Sequence, residues 1–262
     1  MLDFAQKAVG CLERIRSERP LVHLITNLVT MEDVANVLLA LGARPIMAQA
    51  LEEVDQITRA SRALVLNLGT PTRERIEAMK TAARAAQASG FPIVFDPVGV
   101  GASSFRLQAV RELFDSSVPA IVRGNAGEIG ALAGLTGTLS GVDTANAEYD
   151  RAGVARALAI RYCSVIVVAG ARDYVSDGKR TYGVDNTSAR LQTITGAGDM
   201  QSALIAAAAS VEPDALLAAV SGLVLFGLAA QRAARRTMRD GPGSFRVALF
   251  DALAQLDAGN IS

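Results

Sequence analysis

Residues 193–200 join a short β-prone segment to a long apolar helix, and they combine two glycines with an acid. Gly196 and Gly198 have no Cβ, so the backbone at this point can approach an anion closely. The helix that follows directs its first unpaired N–H groups at that anion, for which phosphate is the obvious candidate. Asp199, in the first helical turn, could take a proton from a hydroxyl group beside the phosphate. The stretch therefore suggests phosphoryl transfer to an alcohol.

The glycines and the acid also have a simpler interpretation. Glycine pairs before helices often serve only tight turns, and an aspartate in the first helical turn is favoured by the helix dipole alone. Four residues do not separate an anion site from a turn, so both interpretations stay open until the rest of the chain is considered.

The length and composition favour one large, well-packed domain. The 262 residues, of which 50% are hydrophobic and 20% charged, suffice for a substantial core, and no linker divides them. We therefore predict a single domain over residues 1–262. Lysine plus arginine and aspartate plus glutamate both number 26, so no basic surplus indicates a nucleic-acid partner. A small-molecule site fits this balance better.

The cysteines and the N-terminus indicate the compartment. Cys11 and Cys163 are too few for a disulfide framework and have no metal-ligand spacing, which favours a reducing compartment. Residues 1–7 lack the basic region and apolar core of a signal peptide. The longest uncharged run, residues 215–231, is short of the roughly 20 residues of a membrane span. We predict a cytoplasmic protein that does not enter the membrane.

Short apolar runs alternate with helical segments along much of the chain. Runs that are apolar on both faces are typical of parallel strands covered by helices on both sides. We predict such strands at residues 21–26, 45–48, 63–67, 93–96, 120–123 and 165–168. His23, the only histidine, lies in the first of them and is interpreted as structural. The alternation predicts a three-layer α/β/α sandwich with a mostly parallel sheet and no lid domain.

Helix boundaries and one hairpin complete the predicted fold. Thr70 is a candidate cap for a helix that Pro71 begins and Gly90 ends. Residues 174–182, with Asp-Gly at the turn, predict a hairpin and hence an antiparallel sheet edge. Further helices are predicted at residues 3–17, 200–210, 214–236 and 244–256.

Polar and glycine residues follow several of the predicted strands. In an open α/β sheet the ligand binds outside the carboxyl ends of the strands. The segments found there are residues 26–27, 47–48, 67–70, 96–101 and 123–128. Each of them alone could be an ordinary turn. Their common position at one edge is harder to explain by turns and predicts a site at that edge.

These segments resemble a known family. The sequences Ile-Thr-Asn at 25–27, Asp-Pro-Val-Gly-Val-Gly at 96–101, Arg-Gly-Asn-Ala-Gly-Glu-Ile at 123–129 and Gly-Ala-Gly-Asp at 196–199 resemble hydroxyethylthiazole kinases and their ribokinase superfamily. Residues 35–43, 45–48, 141–143 and 241–245 extend the likeness over nearly the whole chain. The resemblance implies ATP- and Mg²⁺-dependent phosphorylation of the primary alcohol of 4-methyl-5-(2-hydroxyethyl)thiazole in thiamine salvage. It also implies a homotrimer with a site at each subunit interface.

The resemblance assigns roles to individual residues. Asp199 becomes the catalytic base. The anion hole for the transferring phosphate is formed by Gly196, Ala197 and Gly198. The residues implied for the thiazole site are Met47, Asn27, Gly69 and Gly196. For ATP they are Arg123, Asn27, Ala169 and Thr195, with the planar fork of Arg123 on the phosphates.

The resemblance makes Asp96 and Glu128 the pair that organises Mg²⁺, partly through water, because Mg²⁺ keeps several waters beside one or two carboxylates. Each of these assignments has a plainer alternative. The two acids could be ordinary capping or surface residues. Arg123 could be a solvated arginine at the end of a strand.

Three residues depart from the family's pattern. Asp199 stands where these kinases usually have cysteine, although sugar and pyrimidine kinases of the superfamily have aspartate. At reference pKa values of about 3.9 and 8.5, a carboxylate is the more available base at neutral pH. Ala169 stands in place of a threonine that contacts ATP, and Glu32 in place of an asparagine near the interface.

Two alternative functions remain open. A kinase of this fold could act on another small alcohol, such as hydroxymethylpyrimidine, as Asp199 and Glu32 suggest. A non-catalytic relative could bind thiazole or nucleotide as a sensor, which Ala169 makes conceivable. The joint presence of Asp199, Arg123, Asp96 and Glu128 favours an enzyme.

Overall fold

The computed structural model of the chain describes residues 4–135, 149–185 and 188–261. Their strands form one eight-stranded sheet in the order β2-β1-β3-β4-β5-β6-β7-β8. The strands are β1 (Leu21–Ile25), β2 (Arg44–Ile46), β3 (Ala63–Asn67), β4 (Ile93–Asp96), β5 (Ile121–Asn125), β6 (Val165–Ala169), β7 (Asp173–Ser176) and β8 (Thr181–Val184). The first six are parallel, and β7 and β8 pair antiparallel at one edge, as predicted.

Helices cover both faces of this sheet. They are α1 (Phe4–Glu18), α2 (Met31–Leu41), α3 (Val54–Arg59), α4 (Arg73–Ser89), α5 (Ser104–Ser116), α6 (Ala126–Leu132), α7 (Arg151–Tyr162), α8 (Ala197–Ala209), α9 (Ala215–Arg236), α10 (Pro242–Ala254) and α11 (Ala258–Ile261). One core cluster joins the sheet to α1, α2, α8, α9 and α10, and a second joins it to α4, α5, α6 and α7. The predicted three-layer sandwich is confirmed, and every described strand belongs to its sheet, so the described residues form no lid domain.

The direction in which successive strands are added to the sheet reverses between β1 and β3. It runs from β1 outward to β2 and then returns past β1 to β3, from which it continues outward in the other direction. The helices that follow β1 and β3 lie on opposite faces, since α2 and α4 belong to different core clusters. The two loops therefore diverge and leave a crevice, which is where open α/β sheets bind ligands.

Helix α9 is the one described helix long and apolar enough to cross a membrane. It is mostly buried within the protein, and it packs against α1, α8 and α10. Its apolar character is accounted for by this position, because a helix surrounded by other helices is apolar on most sides.

The predicted start of α4 was wrong. Its N-cap is Thr72, whose hydroxyl accepts a hydrogen bond from the backbone N–H of Arg75 at 3.2 Å. Thr70 instead adopts a left-handed conformation with φ of 42°. The cause is the buried guanidinium of Arg75, which donates to the carbonyl and hydroxyl oxygens of Thr70 at 2.7 and 2.8 Å. Pro71 lies outside the helix, which Gly90 ends as predicted.

Two strands end two residues away from their predicted ends, whereas the ends of β1 and β6 differ by one residue. The strand expected at 45–48 stops at Ile46, because the Ala48 carbonyl accepts from Nε2 of His23 at 2.6 Å instead of joining the sheet. The strand expected to end at Arg123 continues to Asn125, paired in register with β6. Arg123 is therefore an internal residue of a strand. The segment 141–143 of the family resemblance lies outside the described residues.

We predict that Gly222→Ala lowers the free energy of unfolding by about 1–3 kcal/mol, the usual cost of overpacking. A Cβ on Gly222 of α9 would lie 2.7 Å from Cα of Ile205 in α8, so the two helices would have to separate. Urea unfolding measures the change. Gly10→Ala in α1 is the control, since a Cβ there meets no atom within 4 Å and helix propensity favours alanine by about 1 kcal/mol. Equal losses in both variants would contradict the close contact.

Candidate active site

Helix α8 begins at the carboxyl edge of the sheet. Gly196 is its N-cap, with φ of 83°, and no side chain among the described residues caps the helix. Its first N–H groups therefore have no side-chain acceptor at the cap. A Cβ on Gly196 would lie 2.4 Å from Cγ2 of Thr30, and one on Gly198 would lie 2.5 Å from Nη1 of Arg123. Gly196 thus serves a turn, as the simpler interpretation holds, and both glycines let neighbouring groups approach the helix start.

Asp199, in the first turn of α8, is half-buried, and both of its carboxylate oxygens accept side-chain hydrogen bonds. Oδ2 accepts from Nδ2 of Asn27 at 2.8 Å and from Oγ1 of Thr30 at 2.6 Å. Oδ1 accepts from Nδ2 of Asn67 at 2.8 Å. A carboxylate oxygen has two acceptor positions, so Oδ1 keeps one of them available. Three donors fix the carboxylate and leave one oxygen able to take a proton.

The two asparagines that hold this carboxylate are themselves oriented by the backbone. Oδ1 of Asn27 accepts the N–H groups of Val29 and Thr30 at 3.0 and 3.1 Å. Oδ1 of Asn67 accepts the N–H of Gly69 at 2.9 Å. Because each amide oxygen faces a backbone donor, each amide nitrogen faces Asp199. Gly69 has to be small, since a Cβ there would lie 2.6 Å from Cβ of Asn27.

Asp96 ends β4 at the same edge and is fully buried. Its Oδ2 accepts from the hydroxyl of Ser202 at 2.7 Å and lies 3.7 Å from Nη1 of Arg123. Its Oδ1 has no hydrogen-bond partner among the described residues. Burial raises the pKa of Asp96 to about 7; Arg123 and Ser202 oppose this rise, and repulsion from Glu128 and Asp199 adds to it. A buried acceptor without a protein partner is unusual and is explained by an ordered water, an ion or a catalytic role.

Glu128 is buried in the first turn of α6, where it forms a capping box with Asn125. Its Oε2 accepts the N–H of Asn125 at 2.8 Å, and its Oε1 accepts the N–H of Gly99 at 2.9 Å. Burial raises the pKa of Glu128, while these two N–H groups act in the opposite direction. Glu128 therefore has the capping role that was the plainer alternative for it. The described residues contain no cluster of three or more acidic, histidine or cysteine side chains, so a metal would have few protein ligands.

Arg123 points from β5 toward α8 and has a side chain that is only 12% exposed. Its Nε and Nη2 both donate to Oε1 of Gln201, at 3.0 and 2.9 Å. The alternative of a solvated arginine at a strand end was wrong, because β5 continues past this residue and α8 packs over it.

Three further predicted residues lie at ends of elements on this edge. Met47 follows β2 and is half-buried, Ala169 ends β6 and is buried, and Thr195 is exposed just before the start of α8. Two surface grooves lie elsewhere, one beside Pro92 at the amino end of β4 and one between α4 and α5. Neither groove contains a residue that was predicted for the site.

His23 anchors the segment that carries Met47. Its Nε2 donates to the carbonyl of Ala48 at 2.6 Å, and its Nδ1 lies 2.9 Å from the hydroxyl of Thr58. The carbonyl can only accept, so Nε2 carries the proton. Burial lowers the pKa of His23, which favours the neutral ring. The structural interpretation of this histidine agrees with both contacts.

Sequence reasoning gave no role to several residues of the site, although it placed Asn67 among the polar segments at this edge. They are Thr30, Asn67, Asp173, Gln201 and Ser202. Two signals were available, because Asn67 ends a strand beside Asp96 in the sheet register, and Gln201 and Ser202 follow Asp199 on one helix. No spacing signal links Thr30 or Asp173 to α8, since both are distant from it in sequence.

The sheet order, the crevice between β1 and β3 and the acid at the start of α8 define a class of protein. A solved ribokinase-like superfamily protein from Enterococcus faecalis matches with a TM-score of 0.61, over 92% of this chain and 90% of its own. Its 12% sequence identity shows a shared fold alone. The protein has the ribokinase-like fold.

Closer relatives identify the family. The model of the Hydroxyethylthiazole kinase family matches residues 12–259. The hydroxyethylthiazole kinase of Chloroflexus aggregans is 45% identical over 99% of this chain and 93% of its own length. The structure of a hydroxyethylthiazole kinase protein from Pyrococcus horikoshii OT3 is 39% identical, with a TM-score of 0.87 over 96% of this chain and 94% of its own. The chain belongs to the hydroxyethylthiazole kinase family and is a kinase, which confirms the resemblance seen in the sequence.

The raised pKa of Asp96 predicts a specific pH dependence of stability. The folded protein holds a proton on Asp96 up to about pH 7, whereas the unfolded chain releases it near 3.8. The contribution of this proton to the free energy of unfolding is fully present below about pH 4 and is lost as the pH rises through 7. Between pH 5 and 8 we expect wild type to lose roughly 1 to 3 kcal/mol relative to Asp96→Asn.

Urea unfolding of the metal-free proteins at both pH values measures this difference. Asp251→Asn, at an exposed position in α10, is the control and should follow wild type. Parallel pH profiles for wild type and Asp96→Asn would show that Asp96 is ionised in the folded protein throughout this range.

Proposed function

We propose that this kinase transfers the γ-phosphoryl group of ATP to the primary alcohol of 4-methyl-5-(2-hydroxyethyl)thiazole, as a step of thiamine salvage. One observation carries the proposal. The Asp199 carboxylate, fixed by three side-chain donors, lies beside the uncapped start of α8 in a chain of this family. Relatives at 43–48% identity bear the name of this activity.

In the proposed reaction, Oδ1 of Asp199 accepts the proton of the alcohol. The alcohol oxygen forms a bond to the γ-phosphorus while the bond to the β,γ-bridging oxygen breaks, and ADP leaves. The N–H groups at Gly196, Ala197 and Gly198 bind the charge that develops on the transferred group. Donors of this kind contribute on the order of 10²–10³ in rate each. The unused acceptor position on Oδ1 supports this role of Asp199.

Arg123 binds the phosphates of ATP in this proposal, and Asn27, Ala169 and Thr195 complete the nucleotide site. A guanidinium that is largely shielded from water interacts more strongly with phosphate than an exposed one. The Nη1 atom of Arg123 lies against Gly198, next to the proposed anion hole. Ala169 has no hydroxyl group, so the hydrogen bond of the usual threonine has to be replaced or lost.

The acidic pair fits a divalent cation, which we propose to be Mg²⁺. Asp96 Oδ1 is a buried acceptor without a partner among the described residues. Burial raises the pKa of both Asp96 and Glu128, and Arg123 only partly offsets this rise. Two carboxylates and several waters are a usual Mg²⁺ environment. When bound, the ion would neutralise phosphate charge. Glu128 also holds the loop after Asp96, because its Oε1 accepts the N–H of Gly99.

We propose that Met47, Asn27, Gly69 and Gly196 bind the thiazole alcohol, and that a neighbouring subunit of a homotrimer completes the site. Leu28 and Val29, directly after Asn27, have exposures of 62% and 70%. The other large exposed apolar residues among the described residues are Leu39, Leu51, Phe105, Val118, Leu135, Ile160, Met238 and Val247. Large exposed apolar side chains directly beside a site, such as Leu28 and Val29, are typical of an interface, and a covering subunit would limit water access. A single cytoplasmic domain over residues 1–262 completes the proposal.

The trimer predicts a mass of three chains in analytical ultracentrifugation at micromolar concentration. Val29→Glu places a charge in the proposed interface and should shift the protein toward monomers. Val118→Glu, at an exposed apolar position before β5, is the matched control and should remain trimeric. A wild-type monomer, or equal dissociation of both variants, would contradict the proposed interface.

The proposed chemistry predicts ADP release that depends on the thiazole alcohol. Asp199→Asn should lower kcat by roughly 10²–10⁴, the usual range for loss of a general base, with little change in ATP affinity. An amide keeps the shape of the carboxyl group, although its NH2 group faces one of the donors that the carboxylate accepts. A coupled ADP assay measures kcat, and Asp251→Asn, at an exposed position in α10, should match wild type.

The outcomes separate the competing functions. Unchanged turnover of Asp199→Asn would remove this residue as the base. A higher specificity constant for hydroxymethylpyrimidine would favour the second kinase activity, which the aspartate in place of the usual cysteine supports. ATP binding without ADP release in the presence of either the thiazole alcohol or hydroxymethylpyrimidine would favour a non-catalytic binding protein.

A further inference from the structure

Gln201 connects Arg123 to a second buried acid. Oε1 of Gln201 accepts both Nε and Nη2 of Arg123, and Nε2 of Gln201 donates to Oδ2 of Asp173 at 3.3 Å. Asp173, the first residue of β7, is 3% exposed, and its Oδ1 accepts the N–H of Gly170 at 2.9 Å. Hydrogen bonds therefore run without a break from Arg123 to the backbone after β6.

The polarity of this chain of hydrogen bonds fixes the orientation of the Gln201 amide. A guanidinium can only donate, and an ionised carboxylate can only accept. The amide between them must turn its oxygen toward Arg123 and its nitrogen toward Asp173. The reversed amide would bring two donors together at Arg123 and two acceptors together at Asp173. Arg123 thus sets the orientation of the amide, and Asp173, which accepts from Nε2, holds Gln201 in it.

The Oε1 atom of Gln201 in turn determines which N–H groups of Arg123 remain available to a ligand. Nε and Nη2 are both occupied by one oxygen, whereas the contact of Nη1 with an acid is a longer approach of 3.7 Å to Asp96. A Cβ on Gly198 would lie 2.5 Å from Nη1. The remaining N–H groups of the guanidinium are therefore held at the start of α8, where the phosphate is proposed to bind.

We infer that Gln201 and Asp173 are positioning residues for the nucleotide, which hold Arg123 with Nη1 directed at the phosphates. The inference rests on the proposed function. Arginine has several flexible side-chain torsions, and fixing them before the ligand binds removes an entropic cost from binding. The polar pair does so without contacting the reacting atoms. Its effect should thus appear in nucleotide affinity more than in the chemical step.

Gln201→Met tests this inference, because methionine has a similar length and provides no acceptor of comparable strength. We expect KM for ATP and the Kd for ADP to rise about tenfold, with kcat changed less than threefold and KM for the alcohol unchanged, the pattern of lost uniform binding. Titration calorimetry with ADP gives a readout independent of activity. Gln108→Met, on the exposed surface of α5, is the matched control and should behave as wild type.

Gln201→Glu and Asp173→Asn are the companion variants. In Gln201→Glu the introduced carboxyl group faces the carboxyl group of Asp173, and at about pH 6 the two can share one proton. The acceptor for Arg123 is then retained, so ADP affinity should stay within about threefold of wild type. Asp173→Asn removes the carboxylate that holds the amide and should weaken ADP binding by several fold. If Gln201→Met does not fold, Asp173→Asn alone tests whether this polar pair positions Arg123.

An ADP affinity within twofold of wild type in folded Gln201→Met or in Asp173→Asn would overturn the inference. So would equal losses in kcat, ADP affinity and alcohol affinity together with a lower Tm, since these describe a general packing defect. The proposed function fails separately, when wild type binds ADP normally and phosphorylates no thiazole alcohol. In that case the difference in ADP affinity between wild type and Gln201→Met still tests the role of Gln201.

Discussion

The hydrogen bonds of the Asp199 carboxylate to Asn27, Thr30 and Asn67 are the interaction on which the site depends. They connect the start of α8 to the loops that leave β1 and β3 in opposite directions. A crevice between diverging loops is a general property of this sheet order. What makes it specific here is a carboxylate that satisfies the donors of both loops at once, so that the acid and the crevice are fixed relative to each other.

Helix α8 extends this arrangement to the rest of the edge. Asp199 contacts the β1 and β3 loops, Gln201 contacts Arg123 in β5, and Ser202 contacts Asp96 at the end of β4. Successive helical residues point about 100° apart, so side chains of one turn can contact the ends of four neighbouring strands. The base, the phosphate-binding arginine and Asp96 of the proposed kinase are thus held by contacts with one helix.

Buried charge at this edge is only partly balanced by protein groups. Asp96, Glu128 and Asp173 all have a pKa raised by burial, and Arg123 is the basic group that lowers it in each case. Burial of unbalanced acids costs stability, and such costs are concentrated at functional sites. A cation and a polyphosphate would supply the missing partners together, because the ion offsets the acids while the phosphates meet Arg123 and the start of α8.

The sequence by itself determined the layer architecture, the antiparallel edge and the edge on which the polar residues lie. Apolar runs and turn residues are local signals, and the carboxyl ends of parallel strands necessarily share an edge. The tertiary structure alone decided that Thr30 and Asn67 hold Asp199, that Gln201 holds Arg123, and that Thr72 caps α4 because a buried arginine holds the Thr70 loop. Such contacts join residues that are distant along the chain or depend on the packing around them. No periodicity in the sequence encodes which side chains meet across the crevice.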